Sequence, residues 1–221
     1  MREMFGSDSR LMKILGKIFD IGYLSLVFII SCIPIITIGA AFTALYYTSV
    51  KVIRRERGYV FQEYMRSFKL NFVPATIIWV IQAVLTFIMA YNYYSVVGPE
   101  GESVGFLAGA YIVMGLLIYA ISCFAYPVLS RFDLKVSKII RFSFFLAVKY
   151  FYFTIPMIVL SLGSIIAIIL LAPAVPIVPL LFPTVANYLN SFMIEWVFKK
   201  YMPKEEHVTE DGETITNWYN E

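Results

Sequence analysis

The sequence predicts an all-α polytopic membrane helical bundle, with about six crossings in three hairpins and two amphipathic juxtamembrane helices. Three observations lead there. The chain of 221 residues is 60% hydrophobic and only 15% charged, against about 45–50% and 25% in soluble domains. Its uncharged runs exceed the roughly 20 residues that one crossing needs. Its basic residues gather in short segments between those runs, as they do in cytoplasmic loops. The net charge of +3 is small, and no basic face on a soluble module suggests nucleic acid as a partner.

Residues 1–20 read as a mixed-charge amphipathic lead-in, with Lys13, Lys17 and Asp20 at roughly helical spacing. An uncharged run follows from Ile21 to Val50. It is about 30 residues long, enough to enter the bilayer and start back. Pro34 removes an amide donor and Gly39 permits left-handed dihedrals, so Pro34, Thr37 and Gly39 mark a structural turn near the far surface. The run is read as retained membrane structure rather than a cleaved leader.

Lys51, Arg54, Arg55, Arg57, Arg66 and Lys69 make up the first basic loop. Within it Val60, Phe61, Tyr64, Met65, Phe68 and Phe72 fall on one side of a helical period, and the charges fall on the other. This is an amphipathic helix over 60–71 suited to the inner membrane surface. Phe72 to Pro99 crosses, with Tyr91, Tyr93 and Tyr94 as an aromatic belt. The acidic link Gly98–Glu102 turns the chain, and Ser103 to Ser130 crosses back. Gly105 and Gly109 are a small-xxx-small pair that favours close helix packing within the chain. Arg131, Lys135 and Lys138 repeat at i, i+4 and i+7 as one basic stripe, which opens the second amphipathic segment, 131–149.

Tyr150 to Ile194 carries no charge and is long enough for two crossings. Its turn is placed among Pro173, Pro176 and Pro179, and Lys199, Lys200 and Lys204 close the last helix. Residues 1–204 thus form a single transmembrane helical domain, and 205–221 a polar, loosely ordered cytoplasmic tail. Alternating the basic and non-basic segments puts both termini in the cytoplasm and requires an even number of crossings; five would leave one basic segment outside. Arg66–Leu70 and Phe142–Leu146 share Ser, Phe and Leu, a faint hint of a duplicated hairpin.

No phosphate loop, HExxH, GxSxG or Cys/His ligand cluster is present, and Cys32 and Cys123 read as small apolar packing residues. The expectation is a protein without enzymatic activity, cofactor or metal. The last helix holds the polar groups of most interest. Asn187, Asn190, Ser191 and Glu195 share one face, with Asn187 near the middle of the bilayer. Amides at that depth should face the bundle, as interhelical glue or as one wall of a solute site. Glu195 lies near enough to the interface to snorkel or to pair with Lys199 at i+4. Arg66, Lys69, Arg131, Lys135 and Lys138 make up a candidate surface for a partner or for anionic lipid.

Pro34-Ile35-Ile36-Thr37-Ile38-Gly39, Thr43-Ala44-Leu45-Tyr46-Tyr47, Gly58-Tyr59-Val60-Phe61, Ser67–Phe72 and Ala75–Trp79 resemble the YesL family, bacterial membrane proteins grouped under domain of unknown function 624. The likeness is specific over about residues 10–80 and mainly hydropathic beyond. It implies a multi-pass protein of a bacterial cell membrane whose partners, besides the lipid bilayer, are components of carbohydrate ABC uptake or of a sensor kinase system. It supplies no catalytic residues. The expected function is therefore a non-enzymatic accessory or regulatory membrane component. The alternative is a small-solute transporter or permease subunit, and neither substrate nor oligomeric state can be read from the sequence.

Overall fold

The computed structural model describes residues 10–97, 105–171, 178–201, 206–208 and 214–216. The described residues form seven α-helices: α1 (Arg10–Cys32), α2 (Ile38–Thr48), α3 (Val60–Val97), α4 (Gly105–Arg131), α5 (Val136–Lys149), α6 (Phe151–Leu171) and α7 (Val178–Phe198). Among the described residues five stretches are long and apolar enough to cross a membrane: Ile14–Cys32, Ile35–Arg54, Val60–Ser95, Phe106–Arg131 and Phe151–Leu171. The outer surface is apolar to match, with Phe106, Ile33 and Phe87 at 85%, 75% and 72% exposure. Exposure on that scale suits lipid and not water, so the architecture fits a multi-pass integral membrane protein. The acidic and proline-rich links expected over 98–102 and 172–177 lie outside the described residues.

α1 stops at Cys32 because Pro34 has no amide hydrogen and disfavours helix at Ile33 before it. A short 3-10 turn, Ile35–Thr37, leads into α2. The last carbonyls of α1 have no donor within their own helix. Thr37 supplies the missing donor: its Oγ1 lies 2.5 Å from the Ser31 carbonyl and 2.6 Å from that of Pro34, so one hydroxyl serves both. Pro34 and Thr37 therefore form the turn. Gly39 does not. It sits inside α2, and Gly58 is the glycine with positive φ among the described residues. What Gly39 provides is closeness, since a Cβ there would lie 2.5 Å from the Ala75 carbonyl of α3 and 2.8 Å from Trp79 Cβ.

α2 is the axis of the bundle. Gly39, Ala40, Ala41, Thr43, Ala44, Leu45, Tyr46, Tyr47 and Thr48 are all buried, as expected of a helix that is apolar all round. It continues as a π-helical segment, Ser49–Arg54, and a linker in which Glu56 and Gly58 take left-handed dihedrals. α3 then runs unbroken for 38 residues, ~57 Å at 1.5 Å per residue. The amphipathic segment over 60–71 is thus the first part of α3 and not a separate helix. No glycine or loop residue interrupts it, and Pro74 is accommodated within the helix. α5 is a separate amphipathic helix that buries Ile139, Ser143, Leu146 and Ala147 and exposes Lys138, Arg141 and Phe145.

Ion pairs and hydrogen bonds gather the ends of the helices. Lys17 of α1 meets Glu56 at 2.7 Å, Lys51 meets Glu63 of α3 at 2.8 Å, and Arg131 at the end of α4 meets Glu195 of α7. Lys149 at the end of α5 donates to the Tyr201 hydroxyl at 2.9 Å. The basic segments therefore share one end of the bundle. A Cβ added at Gly109 would meet nothing within 4 Å, so this glycine brings no helices together within the chain. Of the residues the suggested repeat shares, Ser67 and Ser143 are both buried, whereas Leu70 is 71% exposed and Leu146 fully buried. In the tail, Glu206–Val208 and Thr214–Thr216 pair as antiparallel strands.

Candidate functional site

Two features meet where α2, α4 and α7 converge: a buried charge cluster and, beside it, a cavity. Glu195 is 3% exposed. It does not snorkel, and it does not turn to Lys199, which is exposed. Its Oε1 accepts from Tyr46 Oη at 2.7 Å and from Arg131 Nε at 3.1 Å, and Arg131 Nη2 donates to the same oxygen. Arg55 Nη2 lies 3.4 Å from Oε2. Two guanidiniums and a phenol thus surround one carboxylate, which is how a buried charge becomes tolerable. Burial lowers the pKa of the Arg55 guanidinium, the neighbouring Arg131 lowers it further, and Glu195 opposes both.

Arg131 is the main correction to the sequence reading. Its side chain is fully buried in this cluster, so it belongs to the interior and not to the basic surface. Arg66, Lys69, Lys135 and Lys138 are exposed. The stripe expected of Arg131, Lys135 and Lys138 is not one helical face, because α4 ends at Arg131 and α5 begins at Val136 after a non-helical link, and the spacing cannot reveal that α7 brings a carboxylate to Arg131.

The π-helical segment aims the other cations. By widening the turn it sends Lys51 toward Glu63, Arg55 toward Glu195, and Arg54 onto α7. There Arg54 lies 4.3 Å from the centre of the Phe192 ring and donates to the Ser191 carbonyl at 3.3 Å. Basic residues in a run show that a loop is positive; which helix each one reaches depends on the wide turn.

The polar face of α7 is turned inward. Asn187 Nδ2 donates to Ser49 Oγ at 3.2 Å and Asn190 Nδ2 to Ser161 Oγ at 3.0 Å. Ser191 is buried and donates to the Tyr188 carbonyl at 2.6 Å. One turn earlier, Thr184 accepts from Ser25 of α1 at 2.5 Å. These bonds tie α7 to α1, to the π-helical segment and to α6.

Between α2, α3, α4, α6 and α7 lies a cavity of about 720 Å³. Tyr46 lines it and, through its hydroxyl, also touches Glu195, so one side chain separates the charge cluster from the cavity. The walls are mostly aliphatic and aromatic, interrupted by uncharged polar groups including Gln82, Tyr119, Ser161 and Asn190. Tyr126 Oη donates to Gln82 Oε1 at 2.7 Å across the α3–α4 contact. Among the described residues no group of three or more His, Cys, Asp or Glu could hold a metal ion.

Residues 21–93 match a family model described as "Protein of unknown function, DUF624". The match takes in the second half of α1, the Pro34 turn, α2 and nearly all of α3, so it contains Gly39, Tyr46, Arg55 and the π-helical segment. Arg131 and Glu195 lie beyond it. No curated protein and no solved structure matches the chain.

Proposed function

We propose that this chain is a non-enzymatic accessory or regulatory component of a bacterial cell membrane, crossing six times with both termini in the cytoplasm and acting through a partner that docks on its basic end. The observation that carries the reading is the division of charge. Inside, Glu195 pairs with both Arg131 and Arg55, so these three groups are turned to one another within the bundle and not to a partner. Outside, Arg66, Lys69, Lys135 and Lys138 remain exposed on aromatic-bearing helices, as suits an acidic partner or lipid headgroups. The link to carbohydrate ABC uptake or a sensor kinase rests on the YesL resemblance alone.

Affinity capture in gentle detergent, with mass spectrometry of what is retained, tests this. A specific membrane partner that is lost when Arg66, Lys69, Lys135 and Lys138 become Glu supports it. Capture of lipid alone counts against it. The cavity favours a second reading, a small-solute transporter or permease subunit. Solute flux in reconstituted vesicles containing this chain as the sole protein would establish that reading over the first.

A further inference from the structure

We infer that the cavity is a binding site for a neutral single-chain lipid whose headgroup carries a hydrogen-bond donor, such as a long-chain alcohol. Three observations define that ligand. The cavity's volume of about 720 Å³ falls within the range of pockets that enclose a small ligand, about 300–1,000 Å³. Its walls come from helices that expose apolar side chains to the bilayer, and they are themselves mainly apolar, which suits a hydrocarbon chain. None of the described lining residues is charged, so an ionised headgroup would enter without a counter-charge, a costly transfer in an apolar setting.

The donor requirement comes from Asn190. This residue is 7% exposed and lines the cavity. Its amide nitrogen is committed to Ser161 Oγ at 3.0 Å, and its Oδ1 has no hydrogen-bond partner among the described residues. A buried amide oxygen left without a donor is unfavourable. A hydroxyl or amide headgroup satisfies it once the Asn190 side chain turns Oδ1 toward the cavity, whereas an ether or a bare hydrocarbon does not. Beside Asn190, Tyr46 joins the cavity to the Glu195 cluster, so the occupant would lie one side chain away from the charges that tie α4 to α7.

This site stands independently of the partner proposed above, and its test does not use partner capture. The full chain in nanodiscs is exposed to a long-chain alcohol bearing a mid-chain diazirine, irradiated, and mapped by mass spectrometry. Labels should fall on cavity positions of α3, α4 and α6. Unlabelled alcohol should compete and the matching long-chain carboxylate should not. Gly115 lines the cavity and a Cβ there would meet nothing within 4 Å, so Gly115→Leu projects a side chain into the site and should reduce labelling. Gly163 also has open space and does not line the cavity, so Gly163→Leu should leave labelling intact. Asn190→Leu should weaken the alcohol by about five-fold, the worth of one hydrogen bond, and leave the matching alkane probe unaffected. Labelling spread over the lipid-facing helices and indifferent to Gly115→Leu would overturn the site. Equal competition by the carboxylate would overturn its neutrality, and equal loss of alcohol and alkane in Asn190→Leu would overturn the donor requirement.

Discussion

Glu195 shows how one buried residue acquires its role from its neighbours. Its carboxylate is shared by Arg131, Arg55 and Tyr46, so Glu195→Gln leaves two guanidiniums without their shared counter-charge. We expect a loss of about 3–5 kcal/mol, the usual cost of breaking a buried pair from one side, read as a lower thermal midpoint in detergent. The double variant Glu195→Leu with Arg131→Met should lose clearly less than the two single losses added together, because it removes both members of the pair. Strict additivity would mean that the two side chains do not interact. Gly39 gives a steric counterpart. Gly39→Ala drives a methyl to 2.5 Å from the Ala75 carbonyl, and backbone cannot rotate away as a side chain can. Overpacking of this kind costs about 1–3 kcal/mol. Gly163→Ala, where nothing stands within 4 Å, should cost nothing; equal midpoints for the two variants would contradict the close α2–α3 approach.

At the scale of elements, α7 buries Ile194, Val197 and Phe198 in the apolar core and adds polar contacts along one face. Asn187 reaches Ser49 and Asn190 reaches Ser161, and such bonds between membrane helices contribute about 0.6 kcal/mol each on average and at most about 1.7. Changing both to Leu should therefore lower the melting midpoint modestly and leave the chain folded. A folded double variant that has lost alcohol labelling would assign the face to the cavity, whereas collapse of the fold would assign it to holding α7 in place. The helical spacing of Asn187, Asn190, Ser191 and Glu195 was legible because the period of a helix is fixed. Their partners were not, because Ser49 and Ser161 lie far away along the chain. The break after α1 was equally legible in Pro34. The π-helical segment was not, since nothing in Ser49–Arg54 separates a wide turn from an ordinary one. The continuity of α3 was missed for a related reason: a change from amphipathic to uniformly apolar sequence marks a change of surroundings and need not end a helix.

For the whole molecule, the ion pairs and hydrogen bonds at the helix ends place the basic segments at one end of the bundle. If that end is cytoplasmic, a single cysteine introduced at Glu102 should react with an impermeant thiol reagent added outside intact cells, and one at Lys204 should not. Cys32 and Cys123 are replaced first, so that the introduced thiol is the sole target. Labelling at Lys204 would overturn the assignment of both termini to the cytoplasm.

By itself the sequence determined that the chain is helical and apolar enough for a membrane, where its first apolar run must break, and which residues of α7 share a face. These follow from composition and from short-range geometry, which act over a few residues. Only the tertiary structure decided that Gly39 is a contact rather than a turn, that Arg131 is interior while Lys135 and Lys138 stay outside, and that Glu195 pairs across the bundle instead of along its own helix. It also decided that side chains from several helices line one mainly apolar cavity, with uncharged polar groups among them. Each of these depends on which helices are neighbours, and residues distant along the chain become neighbours only when the bundle packs.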